Sequence, residues 1–482
     1  MVPLSQTTII PHSQEPYVTR TYPSEQELDK IIHDATVAQK AWKDVPLEER
    51  IAIGRKFMKE EFKEMSDEIP LELSLQMGRP VSQGPGEIRG FLERSQYMLD
   101  IASSSLADVT LESTDKPGFK RYIKRVPLGV VMVIAPWNFP YLVSVNSVLP
   151  AIIAGNSVIF KPSPQTPLTA ERFALALTRA GVPEHVIQVV HMSPELVKHA
   201  IDNHEIDFVS FTGSVVGGKS VAQTAANAPG FKGVALELGG KDPAYVRSDA
   251  DIDYSVAELV DGSFFNSGQS CCAIERIYVH ESIYEPFVEK FVALTKVKYR
   301  LGDPTLPETN LGPVVSLASA ARIRKQVADA ISAGAKALIP EDIFPQAKAG
   351  TTYVAPQVLV DVNHTPSSFV HQEETFGPVV GIQKVKSDEE ALEFMNDSPY
   401  GLTASIWTNV QDHPESEAIF LKFVDGLVTG TVYLNRCDYL DPALAWVGVK
   451  DSGRGVSLSK FGKTVCNFYG AMTYSFRCHE RV

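Results

Sequence analysis

The sequence predicts an α/β protein built on mostly parallel sheet. Stretches with helical periodicity alternate with short β-branched runs along the 482-residue chain. The runs are continuously apolar, as strands covered on both faces are. A chain of this length exceeds one compact core, so two or three domains are expected.

The elements follow in order. Ser24 and Glu27 have the spacing of a capping box, and Leu28, Ile31, Ile32, Ala35 and Trp42 continue it as a helical stripe over 24–43. A second helix is expected over about 47–68, carrying Phe57, Met58, Phe62 and Met65. "GVVMVIAP" (129–136) is an apolar run stopped by proline and reads as a buried strand. The most apolar window, 141–160, contains Asn146, Pro150, Gly155 and Asn156, which divide it into helix and strand pieces rather than a membrane span. "NSVIFKP" (156–162), "VIQVVHM" (186–192) and "IDFVSFTG" (206–213) repeat the strand format. In "GVALELGGKDPAYV" (233–246) two strand-like runs flank Gly239-Gly240, where the chain is expected to pass between units. Ser387-Asp388-Glu389-Glu390 opens a later helix, and "GLTASIWT" (401–408) and "GTVYLN" (430–435) read as strands. A second α/β unit therefore spans about 239–455, and no low-complexity tract or internal repeat is visible.

Composition narrows the function. A hydrophobic fraction of 44% with 21% charged residues is ordinary globular composition. The net charge of −13 sets the average surface against nucleic acid and anionic membranes, so neither is expected as a partner. Five thinly spread cysteines fit a reducing compartment rather than a disulfide scaffold. The first twenty residues lack a secretory or transit pattern, and a cytoplasmic location is expected.

Four short stretches can carry chemistry. "SFTGSVVGGKS" (210–220) places Thr212, Gly213 and Ser214 between a strand and a helix, where free N–H groups suit a phosphate; a plain tight turn is the alternative. In "APWNFP" (135–140), Trp137 and Asn138 sit at a strand's carboxyl end, where α/β sheets bind ligands. The Asn138 amide either satisfies itself internally or serves an oxyanion. "LELGGK" puts Glu237 at an apolar strand end, which would raise its pKa toward that of a general base; a structural backbone contact is the alternative. In "GQSCCA", neighbouring side chains on extended backbone point apart, so only one of Cys271 and Cys272 is expected to face a pocket. No metal clip is expected, because Cys437, Cys466 and Cys478 supply no second CxxC. Adjacency disfavours a disulfide. One nucleophile beside a packed thiol, or two packed thiols, both remain.

Taken together, "PWNFP", "FTGS", "LELGGKDP", "GQSC" and "EETFGPV", in this order, resemble the aldehyde dehydrogenase superfamily over about 22–476. The interval from Glu237 to Cys271 is also the family's usual one. The resemblance implies that Cys271 is the nucleophile and Cys272 the bystander, that Asn138 and the Cys271 N–H hold the oxyanion, and that Glu237 is the general base. It also implies a dinucleotide site. Lys161 bonds the adenosine ribose, Ser214 and Trp137 meet the pyrophosphate beside Gly213, Thr212 lies near the carboxamide, and Glu374 holds the nicotinamide ribose with Phe376 beside the ring. The implied reaction converts a small-molecule aldehyde to its acid with NAD, NADP also being open, through a thiohemiacetal and a thioester hydrolysed by water. The implied fold has a Rossmann-like cofactor domain (1–108 and 128–238), an α/β catalytic domain (239–464) and a small β oligomerisation arm (109–127 and 465–482), hence a homodimer or homotetramer. "GFKRYIKRVP" (118–127) reads as the arm's edge strand, which pairing with a second subunit would cover.

Some positions depart from the family pattern. Pro164 stands where NAD-preferring relatives often carry a glutamate that would repel a 2′-phosphate. "AWVGVKDSG" (445–453) has Val447 in place of a glycine, with Trp446 expected in the tunnel wall. Asn146 stands where many relatives have an aromatic, and Arg436 and Asp438 are polar in the entrance segment 435–446, expected to face water or to read a substrate group. Two other classes stay in view. One is a catalytically inactive structural or binding relative of the same fold, which would neither bind cofactor nor label at Cys271. The other is a cysteine hydrolase needing no nicotinamide, although none of the eleven histidines lies in a recognisable thiol-base motif.

Overall fold

The structure is a computed structural model and describes residues 4–110, 119–120, 122–362, 369–466 and 479–480. Two sheets dominate it. The first uses strands β1 (Val130–Ile134), β2 (Ser157–Lys161), β3 (Ile187–Val189), β4 (Phe208–Thr212) and β5 (Gly233–Glu237). The second uses β6 (Asp242–Val246), β7 (Ile274–His280), β8 (Lys336–Ala337), β9 (Gln357–Val360), β10 (Val379–Val385), β11 (Thr403–Trp407) and β12 (Thr431–Leu434). A last short strand, β13 (Gly453–Arg454), returns to the first sheet.

The first sheet has the spatial order β13-β5-β4-β1-β2-β3, parallel throughout except for β13. The chain starts at the centre with β1, runs outward through β2 and β3, then jumps back to β4. That reversal is the switch point at which open α/β sheets bind ligands outside the carboxyl ends of the strands. The continuous apolar run of β1 is explained by burial on both faces. Val131 and Val133 enter a core with Phe57, Phe62, Phe91, Tyr141 and Phe173, whereas Val130, Met132 and Ile134 enter another with Leu28 and Ile32. The second sheet has the order β8-β9-β10-β7-β6-β11-β12, parallel except for the β8–β9 pair.

The helices follow their sequence signals. Helix α1 (Glu25–Trp42) opens with the full Ser24–Glu27 capping box. The second predicted helix is α-helical over Leu47–Lys56, passes through a π-helical stretch at Phe57–Glu61 and ends at Met65. The apolar window resolves into α3 (Pro140–Ile153) and β2, packed beside the long α2 (Gly84–Asp100). Helix α4 (Val215–Asn227) follows β4. Ser387 caps Asp388–Asn396 as its sequence indicates.

Two further features concern the units expected from the sequence. The chain does cross between sheets at Gly239-Gly240, but residues 239–455 do not all stay with the second sheet. β13 pairs antiparallel with β5, matching Glu237 to Gly453. Its two residues carry no apolar pattern, and the open edge of β5 recruits them through backbone groups alone. Of the predicted arm, Val109–Thr110 pairs with Tyr122–Ile123 and Phe119–Lys120 with His479–Glu480, within one chain. Residues 111–118, 121, 467–478 and 481–482 of that arm lie outside the described residues. No described helix is long and apolar enough to cross a membrane.

Candidate active site

A cavity of about 860 Å³ opens at the carboxyl ends of β1, β2, β4 and β5. All ten residues singled out as catalytic or cofactor-binding line it: Trp137, Asn138, Lys161, Thr212, Gly213, Ser214, Glu237, Cys271, Glu374 and Phe376. They come from six segments far apart in sequence, and the strand ends bring them together.

The dinucleotide half is built around the switch point. Ser214 caps α4, its Oγ accepting the Gly217 N–H at 3.1 Å, so the helix N-terminus faces the cavity beside Gly213. Lys161, the last residue of β2, is buried, and its Nζ donates to the Pro162 carbonyl at 2.8 Å. Its other donors have no acceptor among the described residues, and burial lowers its pKa to about 8. Trp137 and Phe376 meet edge to face at 5.5 Å. Phe376 is held at a φ of 49° by a segment whose Thr375 and Phe376 N–H groups both bond Glu275. Glu275 is in turn buried against Lys241. Burial, reinforced by Glu275, raises Glu374 to about 8 against the opposing Gly240 N–H, which bonds its Oε1 at 3.0 Å. A cation with free donors, a capped helix end and a carboxylate along one cleft suit the ribose and phosphate chemistry of a dinucleotide.

The thiol half depends on a strained loop. Asn266, Ser267 and Gly268 take φ values of 52°, 58° and 68°, an arrangement that survives only where surroundings over-determine it. Here they do. Asn266 Nδ2 bonds the Asn138 and Gln269 carbonyls, Ser267 Oγ bonds the Gly312 carbonyl at 2.8 Å, and Gln269 Oε1 accepts from Val315 N–H at 2.8 Å. Gly240 completes the fit: a Cβ there would lie 2.1 Å from the Cys271 carbonyl oxygen. The double glycine and the cysteine loop are thus in direct backbone contact.

The expectation that only one adjacent thiol faces a pocket fails, since Cys271 and Cys272 both line the cavity. The pair sits in a turn, not on extended backbone, so alternation does not apply. The two differ in setting. Cys271 is partly exposed, whereas Cys272 is buried among Met98, Leu402, Trp446 and Leu458 and donates its S–H to Asp438 Oδ1 at 3.0 Å. Hydrogen bonding with Cys271, then burial and the charge of nearby Asp438, push the Cys272 thiol well above its usual range. Asp438 is likewise corrected. It turns inward to Cys272 and Ser270, and burial raises it to about 7. Arg436 is exposed and stacks on the Tyr439 ring at 3.8 Å.

Glu237 ends β5 and lines the same cavity. Burial raises its pKa, while hydrogen bonds from Ser457 and Thr212 and the charge of Arg94 oppose the rise. Asn138 is 5% exposed, and its side-chain amide makes no hydrogen bond among the described residues. It is therefore not the internally satisfied amide of the alternative reading.

Sequence reasoning missed the frame behind Asn138. Arg79 is buried with Glu87; it also bonds the Asn138 carbonyl and, through Nε, Asn266 Oδ1 at 3.2 Å. Glu87 Oε1 accepts the Tyr141 and Leu142 N–H groups that open α3. In the structure Gly78, just before Arg79, takes a φ of 83° that fixes the turn leading into it.

The chain as a whole is similar to known proteins. The model of the "Aldehyde dehydrogenase family" matches residues 4–473. The chain is 34% identical over 403 residues to a succinate-semialdehyde dehydrogenase [NADP(+)] of Mycobacterium avium, covering 83% of this chain and 82% of that one. It is 31% identical to a probable betaine aldehyde dehydrogenase of Schizosaccharomyces pombe, covering 94% and 89%. Among solved structures, the succinic semialdehyde dehydrogenase of Streptococcus pyogenes with NADP+ superposes with a TM-score of 0.87 at 28% identity, over 95% of this chain and 97% of that one. PnpE with nicotinamide adenine dinucleotide gives 0.88 at 30%, over 97% and 92%. The chain belongs to the aldehyde dehydrogenase family and is an NAD(P)-dependent enzyme.

Proposed function

We propose that the protein oxidises an aldehyde to its carboxylic acid through a covalent adduct on Cys271. The observation that carries this reading is the convergence of one accessible thiol, one unpartnered buried amide and one carboxyl of raised pKa on a single cavity.

The roles follow from the chemistry. The Cys271 thiolate attacks the carbonyl carbon, and the Asn138 amide with the Cys271 N–H stabilises the oxyanion of the thiohemiacetal. NAD or NADP, when bound, supplies the hydride acceptor. Lys161, Ser214, Gly213, Trp137, Thr212, Glu374 and Phe376 bind and orient it. Glu237 takes a proton from the water that attacks the thioester carbonyl, which releases the acid and returns the Cys271 thiolate. Cys272, its proton committed to Asp438, stays out of the reaction. Pro164 leaves a 2′-phosphate unopposed, so both cofactors fit this reading. The remaining sequence expectations stand beside it: a cofactor part (1–108 and 128–238), a catalytic part (239–464), an arm (109–127 and 465–482) that joins subunits into a homodimer or homotetramer, and a cytoplasmic setting.

The test is a panel of short, aromatic, hydroxylated and charged aldehydes, each with NAD and NADP, read by reduced-cofactor absorbance. Turnover of at least one pair is expected. Release of acid from an activated ester without cofactor, and no aldehyde oxidation, would refute the reading.

A further inference from the structure

Arg94 lies on α2 and lines the cavity, yet neither sequence nor the proposed reaction assigns it work. It is 6% exposed. Its Nη1 donates to the Leu142 carbonyl at 2.6 Å and to Asn146 Oδ1 at 3.4 Å, both neutral acceptors on α3. No carboxylate pairs with it among the described residues, and its Nε and Nη2 make no hydrogen bond there. A buried guanidinium without a counter-ion is costly, and such groups are normally paired.

Its position says what would pair with it. Gly90, Arg94 and Met98 recur every fourth residue and share one face of α2. Met98 packs with Cys272 and Trp446, so Arg94 stands about one helical turn from the thiols. Leu142, Val143 and Phe265 supply apolar wall to the same cavity. Two acids act on Arg94 from a distance without bonding it. The charge of Glu237 reaches it across the cavity, and Glu93 is exposed to water. Burial lowers Arg94 only to about 10, so it keeps its charge near neutrality.

We propose that Arg94 selects the substrate by pairing with a carboxylate at the far end of the aldehyde, so that the enzyme prefers ω-oxo acids over uncharged aldehydes. This rests on the oxidation reading above. Two relatives are named for succinate semialdehyde and betaine aldehyde, one anionic and one cationic, so kinship alone does not choose the charge.

The test compares kcat/KM for ω-oxo acids of four to six carbons with that for unsubstituted aldehydes of equal length, in wild type, Arg94→Met and Arg94→Lys. Calorimetry adds the binding of the matching dicarboxylates to Cys271→Ser protein with and without Arg94→Met. Wild type is expected to favour an oxo acid. The ratio should fall about tenfold to a hundredfold in Arg94→Met, the range for a charged hydrogen bond, and less in Arg94→Lys. Dicarboxylate binding should weaken alongside. No preference in wild type, an equal loss on both substrate types, or dicarboxylate binding indifferent to Arg94 overturns the proposal. If no aldehyde is oxidised but dicarboxylate binding depends on Arg94, the anion site stands and the oxidation reading falls.

Discussion

Gly240→Ala offers a direct test of how the two catalytic segments fit. The added Cβ would sit 2.1 Å from the Cys271 carbonyl oxygen, and Asp242 Oδ1 would be 3.0 Å away. An ordinary carbon–oxygen contact is about 3.3 Å, so the backbones must part by about 1 Å. The movement cannot be absorbed by a rotamer, because the obstacle is main chain. The Cys271 loop is the part that gives, since its left-handed run is already strained. A misplacement of about 1 Å in a reacting group costs on the order of a hundredfold in rate, or about 2.7 kcal/mol of transition-state stabilisation. Overpacking adds about 1–3 kcal/mol of lost stability. The assay is kcat/KM for aldehyde oxidation, with the alkylation rate of Cys271 by iodoacetamide as a check that does not need turnover. Both should fall in a variant that remains folded. A folded variant with wild-type kcat/KM would refute the claim that the glycine is there to admit the cysteine loop.

The other expected outcomes concern the same cavity. Cys271→Ala should abolish turnover and Cys272→Ala should retain most of it, and the reverse result in a steady-state assay would overturn the assignment of the thiols. Glu237→Gln should give one fast turnover of reduced cofactor and then stall, as stopped-flow absorbance would show; loss of the burst itself would mean the residue acts before hydrolysis. Because the Glu237 carboxyl is raised and works deprotonated, the acid limb of the wild-type rate profile should lie above the ordinary glutamate range and vanish in that variant. Asp438 titrates near 3.9 when unfolded and at about 7 in the fold, so its stabilising effect is present below pH 4 and is lost as pH rises to 7. The melting temperature of Asp438→Asn relative to wild type should therefore climb across that window and then level off; a flat difference would show that the carboxyl is not shifted. Arg79→Met strands a buried Glu87 and should cost about 3–5 kcal/mol in chemical denaturation, with Arg79→Met/Glu87→Gln recovering part of it.

The sequence exposed those parts of the molecule that local rules dictate. The capping box at Ser24, the two-faced strand β1 and the strand ends bearing Lys161, Thr212 and Glu237 are each specified within about ten residues of themselves. The site was legible because strand ends in a parallel sheet share one edge, so a motif placed there needs no further information to be placed in the cavity. What stayed hidden depends on non-local contact. The inward turn of Asp438 and the burial of Cys272 arise from a turn that disrupts strand alternation. Glu87 and Arg94 belong to α2, whose amphipathic pattern does not reveal which buried charges will find partners, and Arg79 reaches Glu87 from the loop before it. β13 has too few residues for any periodicity.

That last strand has a bearing on how much of the chain the chemistry needs. Gly453 is the ladder partner of Glu237, and Ser457, four residues on, bonds its carboxylate. The Glu237 carboxylate is thus braced by a stretch that contributes nothing to the middle of either sheet. The same stretch ties down the double glycine through Ser452 Oγ, which donates to the Gly239 carbonyl at 2.7 Å, and lays Leu458 against Cys272, so cutting the chain just before residue 450 would release the carboxylate, the glycine turn and the thiol wall together.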